Sequence, residues 1–167
     1  EILNRKRLDF ELIVEGFLTE PRRFDFEESW NFEAVDFIVA DALALPFRTH
    51  SFATVAAINL VDKVPNPVKH LEEVNRVLHR EASVFLFSDP FSWDPGVSPP
   101  ERWLGGRENG KYHRRGIETI RRIFSGEHGV FDPPLTTLAE GKVFWKIRKT
   151  ENLWEHITSQ YLIGRRE

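Results

Sequence analysis

Asp41 is the residue whose surroundings best suit ligand chemistry. It follows the apolar segment Ala34–Ala40 and opens the run Asp-Ala-Leu-Ala-Leu-Pro-Phe. A carboxylate can accept a hydrogen bond from an exocyclic amine, and the N–H of the next residue, Ala42, can donate to a ring nitrogen. Asp41 and Ala42 could therefore read the edge of an adenine ring. The alternative is a carboxylate that only caps a turn at a strand end.

Two further polar residues end the next apolar segment, Phe52–Leu60. Asn59 carries an amide that could hold one end of a ligand, and Asp62 could accept a proton or an ammonium group. Leu60 lies between them and would flank the same ligand. The alternatives are a turn residue at position 59 and a solvated loop acid at position 62.

Three aromatic residues, Phe91, Trp93 and Trp103, lie on a loop and do not follow the spacing of a helix or strand face. Aromatic walls suit flat heteroaromatic rings and small cations. The alternative is that they anchor the loop to the core, and we expect one of the three to be purely structural. Arg148 could hold a carboxylate in a bidentate fork, or it could be an ordinary surface cation.

Composition excludes several classes of protein. The chain has 167 residues, of which 41% are hydrophobic, so it can bury the core of one domain. No apolar run approaches the roughly 20 residues of a membrane span, and the net charge of −3 gives no support for a nucleic-acid partner. The absence of cysteine excludes disulfides and a thiol nucleophile, and the six scattered histidines lead us to predict no metal site. We expect a cytoplasmic protein.

The elements that must position these residues follow from hydrophobic spacing. Asn66 and Pro67 are the N-cap and first residue of a helix whose apolar face recurs every three or four residues. Ser92–His113 is predicted to be a long loop on the substrate side. The remaining predicted elements are the strands Ala34–Ala40, Phe52–Leu60, Ser83–Ser88, Val143–Lys149 and Ile157–Arg165, and the helix Gly116–Phe124.

This order predicts an α/β fold. Alternating strands and helices indicate a parallel sheet with crossover helices, and the closing strand pair indicates that one strand is inserted antiparallel. Near the start, residues 1–8 resemble the end of a helix, Asp9–Val14 a short strand, and the residues up to 33 an irregular insertion. The chain opens on Glu1 and lacks methionine, so we expect a fragment whose N-terminus lies upstream.

Two segments resemble class I S-adenosylmethionine-dependent methyltransferases: VADALALPFRTHSF, and NPVKHLEEVNRVLHREASVFLF. The resemblance implies a Rossmann-like class I methyltransferase sheet with an antiparallel last strand and S-adenosyl-L-methionine as cofactor. It implies cofactor contacts from Asp41, Ala42, Asn59 and Leu60. The strand, glycine-rich donor loop and helix that open this fold are not recognisable here, so the resemblance implies an N-terminally truncated domain whose fragment alone is inactive.

A narrower resemblance runs through INLVDKVPNPVKHL, DPFSW, PPERWLGG and IRKTENLWEHITSQYLIGRR. These segments are similar to the methyltransferase domain of ovothiol-biosynthesis enzymes, described as 4-mercaptohistidine N1-methyltransferases. The chain departs from that family at SDPFSW and at ENLWEH, where the family has Ser-Pro-Tyr-Thr-Trp and Arg-Lys-Phe-Gln-His.

The narrower resemblance implies that residues 1–167 are the C-terminal portion of a single methyltransferase domain. It further implies a small-molecule substrate and a sulfoxide-synthase domain that is fused to the chain or works with it. The catalytic residues would be Asn59 and Asp62. The substrate contacts would come from the three loop aromatics, Phe91, Trp93 and Trp103, and from Arg148.

Three alternatives stay open from the sequence. The chain could methylate another small molecule. It could be a nicotinamide-dependent dehydrogenase, although the antiparallel last strands and the DALALPF loop argue against that class. It could also be a methyltransferase-like module without catalysis.

Overall fold

The computed structural model describes residues 6–167. The chain divides into two compact units, one of residues 6–39 with Trp145–Ile157 and the other of Ala40–Phe144 with Thr158–Glu167. The strands are β1 (Arg7–Glu15), β2 (Leu18–Asp25), β3 (Thr54–Ile58), β4 (Ser83–Asp89), β5 (Thr136–Arg148) and β6 (Trp154–Arg166). The helices are α1 (Pro67–Val77) and α2 (Gly116–Phe124).

The larger sheet has the strand order β3-β4-β6-β5. β3 runs parallel to β4, from the pair Thr54 and Val84 to the pair Ile58 and Ser88. β6 runs antiparallel to β4, which confirms the predicted α/β sheet with an antiparallel last strand. Because β3 and β4 are parallel, their carboxyl ends lie side by side at one edge of the sheet.

Helix α1 begins where its sequence predicts. The Asn66 side chain accepts a hydrogen bond from the Lys69 N–H at 3.2 Å, and Pro67 occupies the first turn, where its missing N–H costs nothing. Leu71 and Val74 turn inward and are almost completely buried. α2 covers the predicted range, from Gly116 to Phe124.

One hydrophobic core joins the two helices to the sheet. Phe85 and Phe87 are alternate residues of β4, so they point to the same face, and both are fully buried. The ring centroids of Phe85 and Phe124 are 5.5 Å apart, which brings α2 against that face. Packing in this core therefore holds the ends of β3 and β4 in place, and with them the start of the loops that follow.

The predicted strand Ala34–Ala40 is wrong. These residues form no regular structure, and the Phe37 and Val39 side chains are 79% and 106% exposed. An apolar run becomes a buried strand only where a neighbouring strand pairs with it, and among the described residues this segment has no such neighbour. Asp41 therefore follows a segment without regular structure and not a strand.

The N-terminal region is also more regular than predicted. The short strand at Asp9–Val14 is confirmed within the longer β1, which pairs antiparallel with β2. The irregular insertion is therefore wrong over Leu18–Asp25. Of the predicted helix end, Arg7 and Leu8 belong to β1, and residues 1–5 lie outside the described part.

Two C-terminal predictions were close. The predicted long loop contains one short 3-10 turn, Pro100–Arg102. Both late strands form as neighbours in the sheet and are longer than predicted. Neither helix within residues 6–167 is long and apolar enough to cross a membrane.

Candidate functional site

Asn59 follows the last residue of β3 and is held by two neighbouring strands. Its φ of +54° is in the left-handed region, which asparagine tolerates better than most residues. The Asn59 N–H donates to the Ser88 carbonyl at 2.6 Å, and its Oδ1 accepts from the Ser159 hydroxyl at 2.7 Å. β4 and β6 therefore fix the direction of the amide at the sheet edge.

Asp62 is fully buried, which excludes the alternative of a solvated loop acid. Its Oδ2 accepts from the Ser92 N–H at 2.8 Å, from the Ser92 hydroxyl at 2.7 Å and from Lys63 Nζ at 3.2 Å. Its Oδ1 has no hydrogen-bond partner among the described residues. This carboxylate thus ties the loop after β3 to the loop after β4 and keeps one oxygen free.

Asp89 is a buried carboxylate that the sequence analysis did not assign to the site. Its Oδ1 accepts from the Phe91 N–H at 2.7 Å, and its Oδ2 accepts from the Asp62 N–H at 3.2 Å. Burial, and then the nearby charge of Asp62, raise the pKa of Asp89 to about 7. In the sequence, Asp89 was indicated as a site residue by its position directly after the predicted strand Ser83–Ser88.

The loop aromatics divide into one structural residue and one stacked pair. Phe91 packs on Phe87 with ring centroids 5.9 Å apart, and a Cβ at Gly116 would lie 2.2 Å from the Phe91 ring. The Phe91 ring therefore packs tightly against Gly116 at the start of α2. Trp93 and Trp103 stack at 5.9 Å with planes 13° apart. Of these three residues, Phe91 fits the structural role that we expected for one of them.

The two indole N–H groups of the stacked pair differ. Trp103 Nε1 donates to the Ser98 carbonyl at 2.9 Å. Trp93 Nε1 is buried and has no acceptor within the described part of the chain. A buried N–H without an acceptor is costly, so Trp93 is the less well satisfied of the two indoles.

Asp41 lies in a turn and is exposed. Its Oδ1 accepts from the Leu43 N–H at 2.8 Å, and its carbonyl accepts from the Ala44 N–H at 3.0 Å. The turn-capping interpretation is therefore correct for one carboxylate oxygen. Among the described residues, the other carboxylate oxygen accepts no hydrogen bond, which leaves it to solvent or to a ligand.

Ala42 and Leu60 line the same apolar groove, which has a volume of about 320 Å³ and runs along β3 and α1. His70 from α1 also lines it, and its Nδ1–H donates to the Ala42 carbonyl at 3.0 Å. Its Nε2 is buried without a partner in the described residues, and burial lowers the pKa of His70. The groove brings together two of the predicted cofactor-binding residues.

Arg148 belongs to the other compact unit and is engaged there. Its Nε donates to the Thr150 carbonyl at 3.2 Å, and its guanidinium lies 5.4 Å from the ring centre of Trp154. Its role in substrate binding stays a prediction. Within residues 6–167, no three His, Asp or Glu side chains come close enough together to hold a metal ion.

A family model described as a methyltransferase domain matches residues 14–86. The match contains Asp41, Ala42, Asn59, Leu60 and Asp62 and ends within β4. No curated protein matches the chain.

Solved structures resemble the chain in fold. An S-adenosylmethionine-dependent methyltransferase from Methanosarcina mazei matches with a TM-score of 0.51 and 18% identity, over 78% of this chain and 66% of that one. This is a class I methyltransferase fold. At such identity the likeness supports the fold alone, while the family model together with that fold implies S-adenosylmethionine as cofactor.

Two more likenesses have TM-scores below 0.5. The PH0226 protein of Pyrococcus horikoshii matches at 0.45 with 16% identity, over 80% of this chain and 60% of that one. A protein solved in work on the conversion of a disulfide bond into a thioacetal group during echinomycin biosynthesis matches at 0.49 with 18% identity, over 78% and 55%. The chain thus spans 55% to 66% of the lengths of these three solved structures.

The residues present fit one end of this cofactor. An exposed carboxylate at Asp41 beside an apolar groove suits an adenine with its exocyclic amine. The cofactor's amino-acid end needs close backbone approach, which glycine permits. Within residues 6–40 the one glycine is Gly16, which lies in the tight turn between β1 and β2 and opens no helix.

Proposed function

We propose that this chain forms the methyl-transfer site of an S-adenosylmethionine-dependent N-methyltransferase acting on a small molecule. The observation that carries the proposal is the meeting of two loops at the carboxyl ends of parallel strands, tied by Asp62 to Ser92 at 2.7 and 2.8 Å. In open α/β sheets this edge is where ligands bind. The family-model match covers the first of these loops and the turn at Asp41.

The cofactor side of the site would be built from four residues. The free oxygen of Asp41 would accept from the exocyclic amine of adenine, and Ala42 and Leu60 would flank the ring. Asn59, whose amide oxygen is fixed by Ser159, would hold the end of the cofactor nearest the sheet. The cofactor supplies an electrophilic methyl group on a sulfonium.

The acceptor side would hold a neutral nitrogen in line with that methyl group, because such a displacement depends mainly on alignment. As the nitrogen–carbon bond forms, the carbon–sulfur bond breaks and its electron pair stays on sulfur. The product is then a cation, and the proton that it loses, which for an imidazole leaves the other ring nitrogen, would pass to Asp62, whose Oδ1 has no partner in the described residues. Ser92 and Lys63 stabilise the carboxylate through its other oxygen.

The acceptor we propose is the imidazole nitrogen of 4-mercaptohistidine, the substrate that ovothiol biosynthesis would supply. The half-buried stack of Trp93 and Trp103 offers an aromatic wall for a flat ring. Arg148 is the cation that we propose for the α-carboxylate. The similarity of DPFSW and PPERWLGG to ovothiol methyltransferase domains supports this choice.

An acceptor comparison tests the substrate class. Isotope-labelled methyl transfer by the longer protein that the sequence leads us to expect is measured with 4-mercaptohistidine, with histidine and with the decarboxylated mercaptohistidine. We expect the first compound to react best. Equal reaction of the decarboxylated compound would contradict carboxylate recognition. If none of the three is methylated while another small molecule is, the substrate is wrong and the transferase proposal stands.

A second candidate is a methyltransferase-like module without catalysis. One observation favours it: among residues 6–40, no strand is followed by a glycine-rich turn and then by a helix. We accordingly expect residues 1–167 alone to bind S-adenosylmethionine more weakly than the low-micromolar range and to be inactive. Calorimetry with this chain checks the affinity, and low-micromolar binding would contradict the expectation.

A further inference from the structure

The loop that carries Asp41 and Ala42 has almost no regular structure, and α1 holds it by side chains. The Leu45 N–H donates to Glu73 Oε2 at 2.8 Å. Arg76 donates from one Nη to the Leu45 carbonyl and from the other to the Phe47 carbonyl, both at 2.8 Å. Two side chains of α1 thus satisfy three backbone groups of this loop.

The two side chains also hold each other in a bidentate pair. Arg76 Nε donates to Glu73 Oε1 at 2.9 Å, and its Nη2 donates to Oε2 at 2.8 Å. The hydrogen bond from Arg76 is the main cause that lowers the pKa of Glu73, so the carboxylate stays charged near neutral pH. Glu73 is 7% exposed, and a fork of this kind leaves it one orientation.

A third contact from the same helix face reaches the start of the loop. His70 lies three residues before Glu73, and Glu73 lies three before Arg76, so the three side chains follow one side of α1. His70 contacts the Ala42 carbonyl at 3.0 Å. The helix therefore holds the loop at residues 42, 45 and 47.

A neighbouring ion pair on α1 provides the contrast. Lys69 and Glu72 are also three residues apart, but their nitrogen and oxygen are 4.0 Å apart and both side chains are about half exposed. Within the described part of the chain, neither side chain makes a hydrogen bond or an ion pair with the loop. An ion pair that only stabilises α1 can thus be long and exposed, so helix stabilisation does not account for the short bidentate geometry of Glu73 and Arg76.

We infer that Glu73 and Arg76 are positioning residues that set the Asp41–Ala42 turn for the adenine ring. This inference rests on the proposed function. The pair touches no reacting atom, and it acts by fixing the backbone of Leu45 and Phe47. The turn of Asp41 reaches Ala44, the residue before Leu45, so movement of Leu45 changes the turn directly.

The test compares Glu73→Gln with the matched control Glu72→Gln on the same helix. Hydrogen exchange of the Leu45 amide reports on the anchor, and NMR titration with S-adenosylmethionine up to millimolar concentrations reports on affinity. We expect Glu73→Gln to speed Leu45 exchange at least tenfold and to weaken binding about tenfold. Glu72→Gln should change both by less than about twofold.

Three checks separate positioning from simple destabilisation. Arg76→Lys keeps the positive charge but loses the bidentate fork, so it should show the same faster Leu45 exchange and weaker cofactor binding. It takes the place of Glu73→Gln if that variant folds poorly. Ile120→Val loosens the core to a similar melting temperature and should leave cofactor affinity unchanged. Asp41→Ala combined with Glu73→Gln should weaken binding no further than Asp41→Ala alone, because both act through one contact.

Each result has a defined meaning. Unchanged Leu45 exchange in Glu73→Gln, or faster exchange with unchanged affinity, overturns the inference. If the unaltered chain shows no cofactor shifts at millimolar concentrations, the proposed function fails and the ligand role of the pair fails with it. Leu45 exchange would then still report whether the pair anchors the loop.

Discussion

The turn at Asp41 and the loops at the ends of β3 and β4 hold their acids in opposite ways. Asp41 is exposed, and the side chains that fix its loop come from α1. Asp62 and Asp89 are buried, and they themselves fix the loops around them. In the first region the scaffold positions the acid, and in the second the acid is part of the scaffold.

This difference decides what each acid can tolerate. An exposed carboxylate costs little free energy to keep charged, so replacing Asp41 should affect a ligand more than the fold. A buried carboxylate loses its hydration and must recover that free energy from hydrogen bonds. Substituting Asp62, or changing the pH so that Asp89 gains or loses its proton, should therefore alter the free energy of unfolding directly.

The largest expected effect is the loss of stability in Asp62→Ala. The substitution removes a buried acceptor that three donors share, the Ser92 N–H, the Ser92 hydroxyl and Lys63 Nζ, and so unties the loop after β3 from the loop after β4. We expect a loss of about 2–4 kcal/mol in the free energy of unfolding, measured with urea. The control is Asp94→Ala, an exposed acid whose carboxylate accepts from the Gly96 N–H and whose loss should cost below about 1 kcal/mol. Equal losses in the two variants would remove the distinction between the regions.

The next effect is a pH dependence set by Asp89. Its pKa is raised from 3.8 to about 7 in the folded chain, so between these values the folded state holds a proton that the unfolded state has lost. Stability should therefore be highest at the acidic end of this window and fall as pH rises through it, by up to about 1.4 kcal/mol per pH unit.

Asp89→Asn isolates this contribution, because the amide keeps the shape and does not titrate. Burial lowers the pKa of His70, which gives a slope of opposite sign in both proteins. The free energy of unfolding is measured with urea at pH 5, 6, 7 and 8. Its difference between the unaltered chain and Asp89→Asn should narrow toward high pH. A constant difference would mean that Asp89 is charged throughout.

A smaller effect is expected at Asp41, and on the ligand side. Asp41→Ala loses a charged hydrogen bond to the adenine amine, which should weaken cofactor binding by about 1.5–3 kcal/mol. The free energy of unfolding should fall by less than about 1 kcal/mol, since only the bond from the Leu43 N–H is lost inside the chain. NMR titration and urea unfolding measure the two quantities. An unchanged dissociation constant would make Asp41 a turn-capping residue only.

The smallest expected effect is that of Arg148→Ala on stability. Its contact with Trp154 and its bond to the Thr150 carbonyl lie near the surface and should be worth below about 1 kcal/mol. Lys149→Ala, which removes a neighbouring cation, is the control for the acceptor comparison. If the proposal is right, only Arg148→Ala should lose the preference for an acceptor with a carboxylate.

The sequence predicted those elements whose signals are local. Asn66 and Pro67 mark the start of α1 whatever lies around it, and the spacing in α2 defined its full range. The segment Ala34–Ala40 failed because a strand depends on a partner that composition cannot supply. The first late strand was predicted too short because β5 also contains the mostly exposed residues from Thr136 to Lys142.

The candidate site shows the same limit. The position of Asp62 after an apolar segment was visible, but its burial depends on Ser92, thirty residues further along the chain. Asp89 ends β4, and its raised pKa results first from its burial and then from the proximity of Asp62, neither of which its position in the sequence shows. Glu73 and Arg76 are three residues apart on α1, a spacing that indicates a pair within one helix and gives no sign of the loop that they hold.

The place of β3 at the outer side of its sheet has a consequence for the behaviour of the chain in solution. Its sequence, Thr-Val-Ala-Ala-Ile, contains none of the lysines, prolines or bulges that keep edge strands from pairing with another molecule. Thr54, Ala56 and Ile58 are exposed, so a neighbouring molecule meets both free backbone groups and apolar surface. We expect concentrated solutions to self-associate through this strand, and a lysine in place of Ala56 to raise the solubility limit.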